Sequence, residues 1–428
     1  MARVIICASP IYGHVSPMRT IAADLVQRGH QVTVLTGTAF REMVEQTGAA
    51  FAPLTGRADY DLSILDSSER DALEPGPAQF EWDLRNVFIA SLADQHRALQ
   101  LLLAEPDSES AIVLSEIMFL GATPLMLGAP GPRPKAFAGI GVIPFALSSS
   151  DTAPFGMGLP PDSSELGRVR NRAANAVMQE QILGAAQRLY EEVVAELGVT
   201  WPAPFFIDAP VLEPERFLQL SVEELSYQRS DTPEHVRFVG ALPSAKPDGA
   251  ALPPWWDEVL AAERVVVVTQ GTVANKDLSA LIEPTLMALA DLPVLVVAAA
   301  GREGTVRHLP ANARVASFIP FDDLLPHADV LVTNGGFGAV QQSLRHGTPL
   351  VVAGLTEDKL ESNVRLAATG AAINLATDTP ALTAIRAAVQ TVLANADYRL
   401  NAERLSKQYA GLDPLAAIAQ TVDELAAW

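Results

Sequence analysis

Short apolar runs separated by helically spaced apolar residues mark both halves of this chain. Arg3 to Ser9 is an apolar run of strand length, and Met18, Ile21, Ala22 and Leu25 recur after it at helical intervals. Ser16-Pro17 reads as the start of that helix, with Ser16 as cap and Pro17 at its first position, and Gly29 as its stop. Gln31 to Thr36 follows as a second strand. Strand, helix and strand at this spacing predict a parallel sheet with helical crossovers. The pattern returns with the valine run of Arg264 to Thr269, then with Pro293 to Ala299, Arg314 to Phe318, Asp329 to Thr333, Leu350 to Ala353 and Ala371 to Leu375. Continuous β-branched runs suit strands buried on both faces. Pro284 interrupts the helix expected over Leu278 to Ala290, as a kink or as a later start. Asn401 to Trp428 reads as two helices broken around Gly411 to Pro414.

Ala241 to Pro254 is rich in Pro, Ala and Gly and includes Pro243, Pro247, Asp248-Gly249 and Pro253-Pro254, the composition of a linker. With 428 residues, more than one core usually serves, the chain divides into residues 1–240, a linker at 241–254, residues 255–410, and a helix at 411–428 expected to pack back on the first domain. The predicted class is α/β, two Rossmann-like doubly wound domains facing each other across a cleft. Ligands in such sheets sit at the carboxyl ends of the strands, so the informative residues lie just past each strand.

Composition narrows the function classes. A formal net charge of −20 argues against nucleic acid or anionic lipid as a partner and otherwise reads as solubility. Cys7 is the only cysteine and lies in an apolar strand, so a packed thiol in a reducing compartment, the cytoplasm, is expected. Arg3 is the one basic residue ahead of the apolar run Val4 to Ala8, which stops at Ser9-Pro10, so no secretory leader is expected. The longest apolar stretch, Ala111 to Leu127, is interrupted by Ser115, Glu116 and Pro124, and no membrane span is expected.

Val332-Thr333-Asn334-Gly335-Gly336-Phe337-Gly338 leaves a strand and opens a helix that carries Val340 and Leu344 on one face and ends at Gly347. Glycines let the backbone approach a ligand, and the free amides of a helix start bind an anion, so a diphosphate suits this turn. An ordinary tight strand-to-helix turn is the equal alternative. The turn is not a P-loop, since no Gly-Lys-Ser/Thr follows, and the dinucleotide spacing is missing after the first strand.

Four segments in order, Phe318-Ile319-Pro320, Asn334-Gly335-Gly336, His346-Gly347-Thr348-Pro349 and Glu357-Asp358-Lys359, resemble the donor signature of family 1 glycosyltransferases of GT-B fold, with bacterial natural-product and macrolide enzymes nearest. The resemblance extends more loosely over the whole chain, including the Gly13-His14 loop. It implies that Phe318 stacks on a nucleobase whose edge meets the backbone of Ile319. It places Gly271-Thr272 and Asn334 to Ala339 by the phosphates, and Asp358 on sugar hydroxyls, though an acid there is also a plain helix cap. Departures from the family pattern are Asn334 for a histidine, Gln342 for a ribose-binding glutamate and Lys359 for a glutamine. Gly338-Ala339 replace the Asn-Ser of many uridine-nucleotide enzymes and resemble thymidine-nucleotide ones, so a UDP- or dTDP-sugar co-substrate is expected, with no further cofactor.

His14, in Gly13-His14-Val15-Ser16-Pro17, lies past the first strand, where a neutral imidazole can take a proton from an attacking hydroxyl. A loop histidine bonded to a nearby carbonyl is the plainer reading; the resemblance assigns His14 as the catalytic base. The family's supporting aspartate corresponds to Glu116, at the end of Ala111 to Glu116, and Asp151 is a second acid to weigh, with a loop cap as its plainer role. Asp59-Tyr60-Asp61 has metal-binding form, but chance is the better reading, no zinc spacing is present, and no metal is expected. Phe80, Trp82, Phe88, Phe145, Phe155, Met157 and Met178 suit either a flat apolar acceptor or a core under long loops.

The expected activity is inverting transfer of a sugar to a hydroxyl of a small apolar acceptor, such as a polyketide, macrolide or aromatic natural product, with a homodimer as one option for the assembly. The alternatives are a non-catalytic partner that activates another enzyme, at which Asn334 and Gln342 hint, or a nucleotide-sugar epimerase of similar fold.

Overall fold

The structure, a computed structural model, describes residues 1–428 apart from Asp66, Pro75, Trp201, 245–250, 272–276 and 302–305. Two parallel sheets organise it. The first contains β1 (Arg3–Cys7), β2 (Gln31–Thr36), β3 (Ala50–Pro53), β4 (Ile112–Glu116), β5 (Ala136–Gly141), β6 (Arg216–Gln219) and β7 (Val236–Phe238), in the order β3-β2-β1-β4-β5-β6-β7. The second contains β8 (Val265–Thr269), β9 (Leu295–Ala299), β10 (Ala313–Ala316), β11 (Val330–Thr333), β12 (Leu350–Val352) and β13 (Ala372–Asn374), in the order β10-β9-β8-β11-β12-β13. Every neighbouring pair is parallel. These are the two α/β lobes, each built on a parallel sheet, that the sequence predicts.

Alternation along each strand explains why helices cover both faces. Val4 and Ile6 of β1 pack with Val15, Met18, Ile21 and Leu25 of the first helix, whereas Ile5 and Cys7 point the other way onto Leu99, Leu103 and Phe137. The valine run behaves likewise. Val265 and Val267 pack with Leu331, Val340, Leu344 and Leu366, and Val266 and Val268 with Ile282, Leu286, Ile385 and Val389. Each such side chain, fully buried, contributes roughly 1.5–3 kcal/mol, which is why these runs fix the sheets. Burial pushes the Cys7 thiol far up, with the nearby Glu116 charge adding to it, so this cysteine is inert.

Two helix boundaries differ from the sequence expectation. The first helix runs Tyr12–Gln27, so Ser16 is not its cap and Pro17 lies inside it. Extended Ile11 is the cap residue, and its carbonyl accepts the N–H groups of His14 and Val15, both at 2.9 Å. Pro17, close to the helix start, forfeits a single hydrogen bond. Gly29 closes the helix at φ +88, as a left-handed stop requires. In the second lobe the helix spans only Ile282–Ala288, so Pro284 marks a later start and falls in the first turn. Pro414–Ala427 packs Ile418, Val422 and Leu425 into the core of the first sheet. Of the expected linker, residues 245–250, including Pro247 and Asp248-Gly249, lie outside the described residues.

Strand order reverses between β1 and β4 in one sheet and between β8 and β11 in the other. At such switch points neighbouring crossovers leave on opposite faces and open a crevice.

Candidate active site

At the first switch point β1 and β4 run side by side, with Cys7 paired to Ser115. That register puts Glu116, the last residue of β4, beside the turn leading from β1 into the first helix. The Glu116 carboxylate is fully buried. Its Oε1 accepts the Ser9 N–H at 3.0 Å, and its Oε2 accepts the Met118 N–H at 2.8 Å. Oε2 also lies 2.8 Å from His14 Nδ1, in the first turn of the helix. Burial alone would raise this carboxyl, but the His14 charge, its hydrogen bond and the two amides outweigh it and hold the group below the usual carboxylate range. Burial pulls the His14 imidazole down, yet Glu116 outweighs that and raises it, with smaller contributions from Asp358 and Glu357 of the opposite lobe. With Nδ1–H donating to the carboxylate, Nε2 keeps its lone pair. The His14 side chain remains 12% exposed. Phe88, in the π-helical segment Leu84–Ile89, lies beside it with ring centroids 6.2 Å apart.

Asp151 is elsewhere. It pairs with Arg168 at 2.6 Å and accepts from the Ser230 amide at 2.6 Å and hydroxyl at 2.7 Å, contacts that hold its carboxyl down to about 2, the Ser230 amide foremost. Asp59 accepts the Thr38 N–H at 2.8 Å and so ties its loop to the segment after β2, and Asp61 accepts the Ser63 N–H at 2.8 Å within a local turn, so both carboxylates have structural partners. Trp82, Phe145 and Met178 are buried core, whereas Phe80, Phe88 and Phe155 are half-buried and Met157 is exposed.

At the second switch point Asn334 ties two loops together. Its Nδ2 donates to the Gln270 carbonyl at 2.6 Å, and its Oδ1 accepts the Gly336 N–H at 3.3 Å. Gly335 takes φ +89 and packs so closely that an added Cβ would lie 1.7 Å from Asn363 Oδ1. Gly336 caps the helix Phe337–Arg345, whose first backbone bond runs from the Val340 N–H to the Gly336 carbonyl at 3.1 Å. The amides of Phe337, Gly338 and Ala339 therefore point out of the helix end without intrahelical acceptors. Phe337 anchors the turn by burying its ring, while Gly338 is exposed and a Cβ there would meet nothing within 4 Å. Gly271, at φ +76, faces Asn334, with its would-be Cβ 3.7 Å from Oδ1. Thr272 lies outside the described residues. Phe318 is 47% exposed on the carboxyl side of β10, next to buried Ile319. The Gln342 amide is turned toward the chain entering this lobe: it donates to the Leu242 carbonyl at 2.9 Å, and its oxygen accepts from Arg345 at 2.9 Å.

The loop after β12 closes the arrangement. Glu357 adopts φ +57 and pairs with buried Lys359, whose Nζ also lies 3.4 Å from the Thr356 hydroxyl. Asp358 occupies the cap position of the helix Lys359–Ala368, yet its side chain makes no capping bond. Its carboxyl instead stands within electrostatic reach of His14 across the cleft. Burial pushes it up to about 6 against the pull of Lys359, with Glu357 adding to the rise and His14 opposing it. A proton acceptor on one lobe thus lies within electrostatic reach of a carboxyl group on the other, and that second lobe also carries an open helix start that can bind an anion.

Sequence reasoning missed three supports. Gln270 accepts the Leu281 and Ile282 amides at 3.1 and 2.9 Å and donates to the Asp277 carbonyl at 2.9 Å, tying the end of β8 to the start of the helix Ile282–Ala288. Asn363 donates to the carbonyls of Gly354 and Asn334 at 3.0 and 3.4 Å. Glu361 and Arg365 are buried between the lobes. Asn363, a poor helix former inside a helix, was the one legible signal.

A family profile described as "Erythromycin biosynthesis protein CIII-like, C-terminal domain" matches residues 283–425. The chain is 42% identical to "UDP-glycosyltransferase 2" of Phaeomoniella chlamydospora over 437 aligned positions, 99% of this chain and 96% of that protein. It is 37% identical to "4'-demethylrebeccamycin synthase" of Lentzea aerocolonigenes, covering 99% and 98%. Among solved structures, the glycosyltransferase of kitacinnamycin superposes with TM-score 0.74 at 22% identity, covering 99% of both chains. Spinosyn rhamnosyltransferase SpnG complexed with thymidine diphosphate superposes with TM-score 0.68 at 20% identity, covering 98% of this chain and all (100%) of that one.

Proposed function

The chain belongs to the family 1 glycosyltransferases of GT-B fold, and from that premise we propose that it moves a sugar, with inversion, from a nucleotide diphosphate to a hydroxyl of a small apolar natural product, using His14 as base. The observation that carries this reading is the 2.8 Å contact between His14 Nδ1 and buried Glu116, which leaves Nε2 free beside Phe88 and opposite Asp358. The acceptor O–H gives its proton to Nε2 while its oxygen attacks the anomeric carbon from the face away from the diphosphate. The bond from that carbon to the diphosphate oxygen breaks, and the departing charge meets the Phe337, Gly338 and Ala339 amides at the helix start. Glu116 stabilises the imidazolium that forms and holds the ring in the tautomer the step needs. Asp358 binds sugar hydroxyls, Phe318 stacks on the base, and Ile319 offers its backbone to the base edge. Phe88 and the half-buried aromatic side chains around it favour a flat acceptor.

Relatives named as UDP-glycosyltransferases support a uridine donor; a thymidine donor is the second choice, and melting shifts with both nucleotide sets distinguish them. Because helix amides meet the diphosphate charge, no step calls on a metal, and chelator is expected to leave the rate unchanged. Asn334 and Gln342, which hinted at a non-catalytic partner, both have structural employment here, and the intact His14–Glu116 pair favours an enzyme.

The test uses UDP-glucose with a panel of planar phenols. His14→Ala is expected to lower transfer by about 10²–10⁴-fold while nucleotide affinity stays within a few-fold, and the product is expected to carry the β-anomer. Undiminished turnover in His14→Ala, or an α-anomer from the native chain, rejects the mechanism.

A further inference from the structure

The helix Lys359–Ala368 grips three parts of the molecule. Asp358 stands at its head and faces His14. Asn363, further along, holds the carbonyls of Asn334 and Gly354 and so fixes the proposed diphosphate turn. Glu361 and Arg365, one turn apart, form a buried ion pair at 2.9 Å and reach into the opposite lobe.

That reach is specific. Glu361 Oε2 accepts the N–H groups of Gly156 and Gly158 at 3.2 and 3.1 Å. Both glycines have positive φ, +89 and +58, so the backbone turns two amides toward one carboxylate oxygen, a conformation that side chains resist. At Gly158 an added Cβ would lie 2.8 Å from Leu360 Cγ, so the fit also depends on the missing side chain. Arg365 donates to the Phe145 carbonyl at 2.9 Å, and its guanidinium lies 5.8 Å from the Phe155 ring and 5.4 Å from the Tyr227 ring. Tyr227 holds φ +62, a costly backbone state for a tyrosine, in the same cluster. Arg229 of the first lobe shares the Phe145 carbonyl at 3.3 Å, which sets a second guanidinium near Arg365.

A buried ion pair is a weak source of stability, since apolar residues of similar volume often serve as well. Glycines at positive φ, a strained tyrosine and two neighbouring cations are not what packing alone would select. Resting on the functional reading above, we propose that Glu361 and Arg365 are positioning residues. Their grip on the Phe145–Gly158 segment sets the separation between Asp358, at the head of their own helix, and His14 in the other lobe. Neither touches substrate. They act by fixing where the sugar-binding carboxyl and the phosphate turn stand relative to the base and the acceptor-side loop.

Glu361→Gln, Arg365→Met and the double variant, assayed with UDP-glucose and the phenol panel, test this. Misplacement by about 1 Å can cost on the order of 10²-fold in rate. The expected result is a fall in kcat of about 10-fold or more and a higher ratio of donor hydrolysis to transfer. The dissociation constant for UDP should stay within about threefold, because the Phe337–Ala339 amides are untouched. The double variant removes both buried charges together, so it keeps its melting temperature within a few degrees while kcat stays low, which guards against misfolding of a single variant. A kcat within twofold of native in all three overturns the proposal. So does a parallel loss of UDP affinity, melting temperature and kcat in the double variant, the signature of a merely structural pair. A native chain that neither binds UDP nor transfers sugar would instead overturn the functional reading beneath it.

Discussion

Glu116→Gln is the sharpest probe of the base. The substitution keeps size and shape but removes the charge 2.8 Å from His14 Nδ1. Three donors converge on the native carboxylate: the Ser9 amide, the Met118 amide and the imidazole N–H. A glutamine has one oxygen, so it cannot satisfy all three. If its NH2 faces Met118 and His14, Nδ1 becomes an acceptor, Nε2 carries the proton, and the ring cannot act as base. If its oxygen faces them, the tautomer survives, but the imidazolium loses a charge-assisted hydrogen bond of about 1.5–3 kcal/mol, roughly 10–10² in rate. The wrong tautomer costs up to about 10⁴. The expected fall in kcat is therefore about 10–10⁴-fold, measured as initial rate with saturating UDP-glucose over a pH series. The pH dependence is diagnostic. The imidazole must be neutral to accept a proton, so activity rises with pH through its pKa. Glu116 raises that pKa in the native chain, so the rise sits above the ordinary 6.5. In Glu116→Gln burial dominates, and the rise moves to lower pH even as the plateau drops. A variant with a rate within twofold of native and an unmoved acid limb refutes the assignment.

The same pair predicts a stability window. Glu116 is held below its unfolded value of about 4.5, so its contribution is complete above that pH and is lost as pH falls through the folded pKa. The raised His14 contributes fully below about 6.5 and loses this as pH rises through its folded pKa. The melting-temperature gap between native and Glu116→Gln should thus be widest between about pH 4.5 and 6.5; a gap that widens steadily to pH 9 contradicts this. Asp358, raised to about 6, destabilises the fold as pH climbs from about 3.8 through that value. Asp358→Asn should accordingly melt at or above the native temperature at pH 8, by up to on the order of 1–3 kcal/mol, yet transfer more slowly; a clear loss of stability would show that the carboxylate supports the fold. Gly338→Val should fold normally and lose UDP affinity by calorimetry, since its side chain enters open space by the free amides, whereas Gly335→Ala should lose stability through its contact with Asn363. Retained UDP affinity in Gly338→Val would move the diphosphate elsewhere.

Much of the fold was written in local pattern. The run Arg3 to Ser9 and the valines before Thr269 read as buried strands from their continuous apolar character, and the residues just past the strands were the informative ones; the strand order that sets the switch points depends on long-range pairing and is visible only in the structure. His14 and the Asn334–Gly338 turn followed because each lies directly past such a strand. Long-range partners were less legible. Pro17 suggested a helix start because proline favours first turns, but the extended backbone of Ile11 sets the start earlier. Glu361 and Arg365, four apart on a helix, have the spacing of a solvent-facing pair, and only the opposing lobe makes them buried. Glu116 could be matched to the family's acid, but its two supporting amides, from Ser9 and Met118, depend on strand register rather than residue type. Phe88 reaches His14 through a π-helical turn that helical periodicity does not encode.

A crystal structure of the chain with UDP and a phenol acceptor tests the central claim most directly. The account predicts terminal phosphate oxygens accepting the N–H groups of Gly338 and its neighbours, and the acceptor hydroxyl about 2.6–3.2 Å from His14 Nε2. A diphosphate bound away from that helix start, or a hydroxyl held by another side chain with Nε2 facing protein, would contradict it.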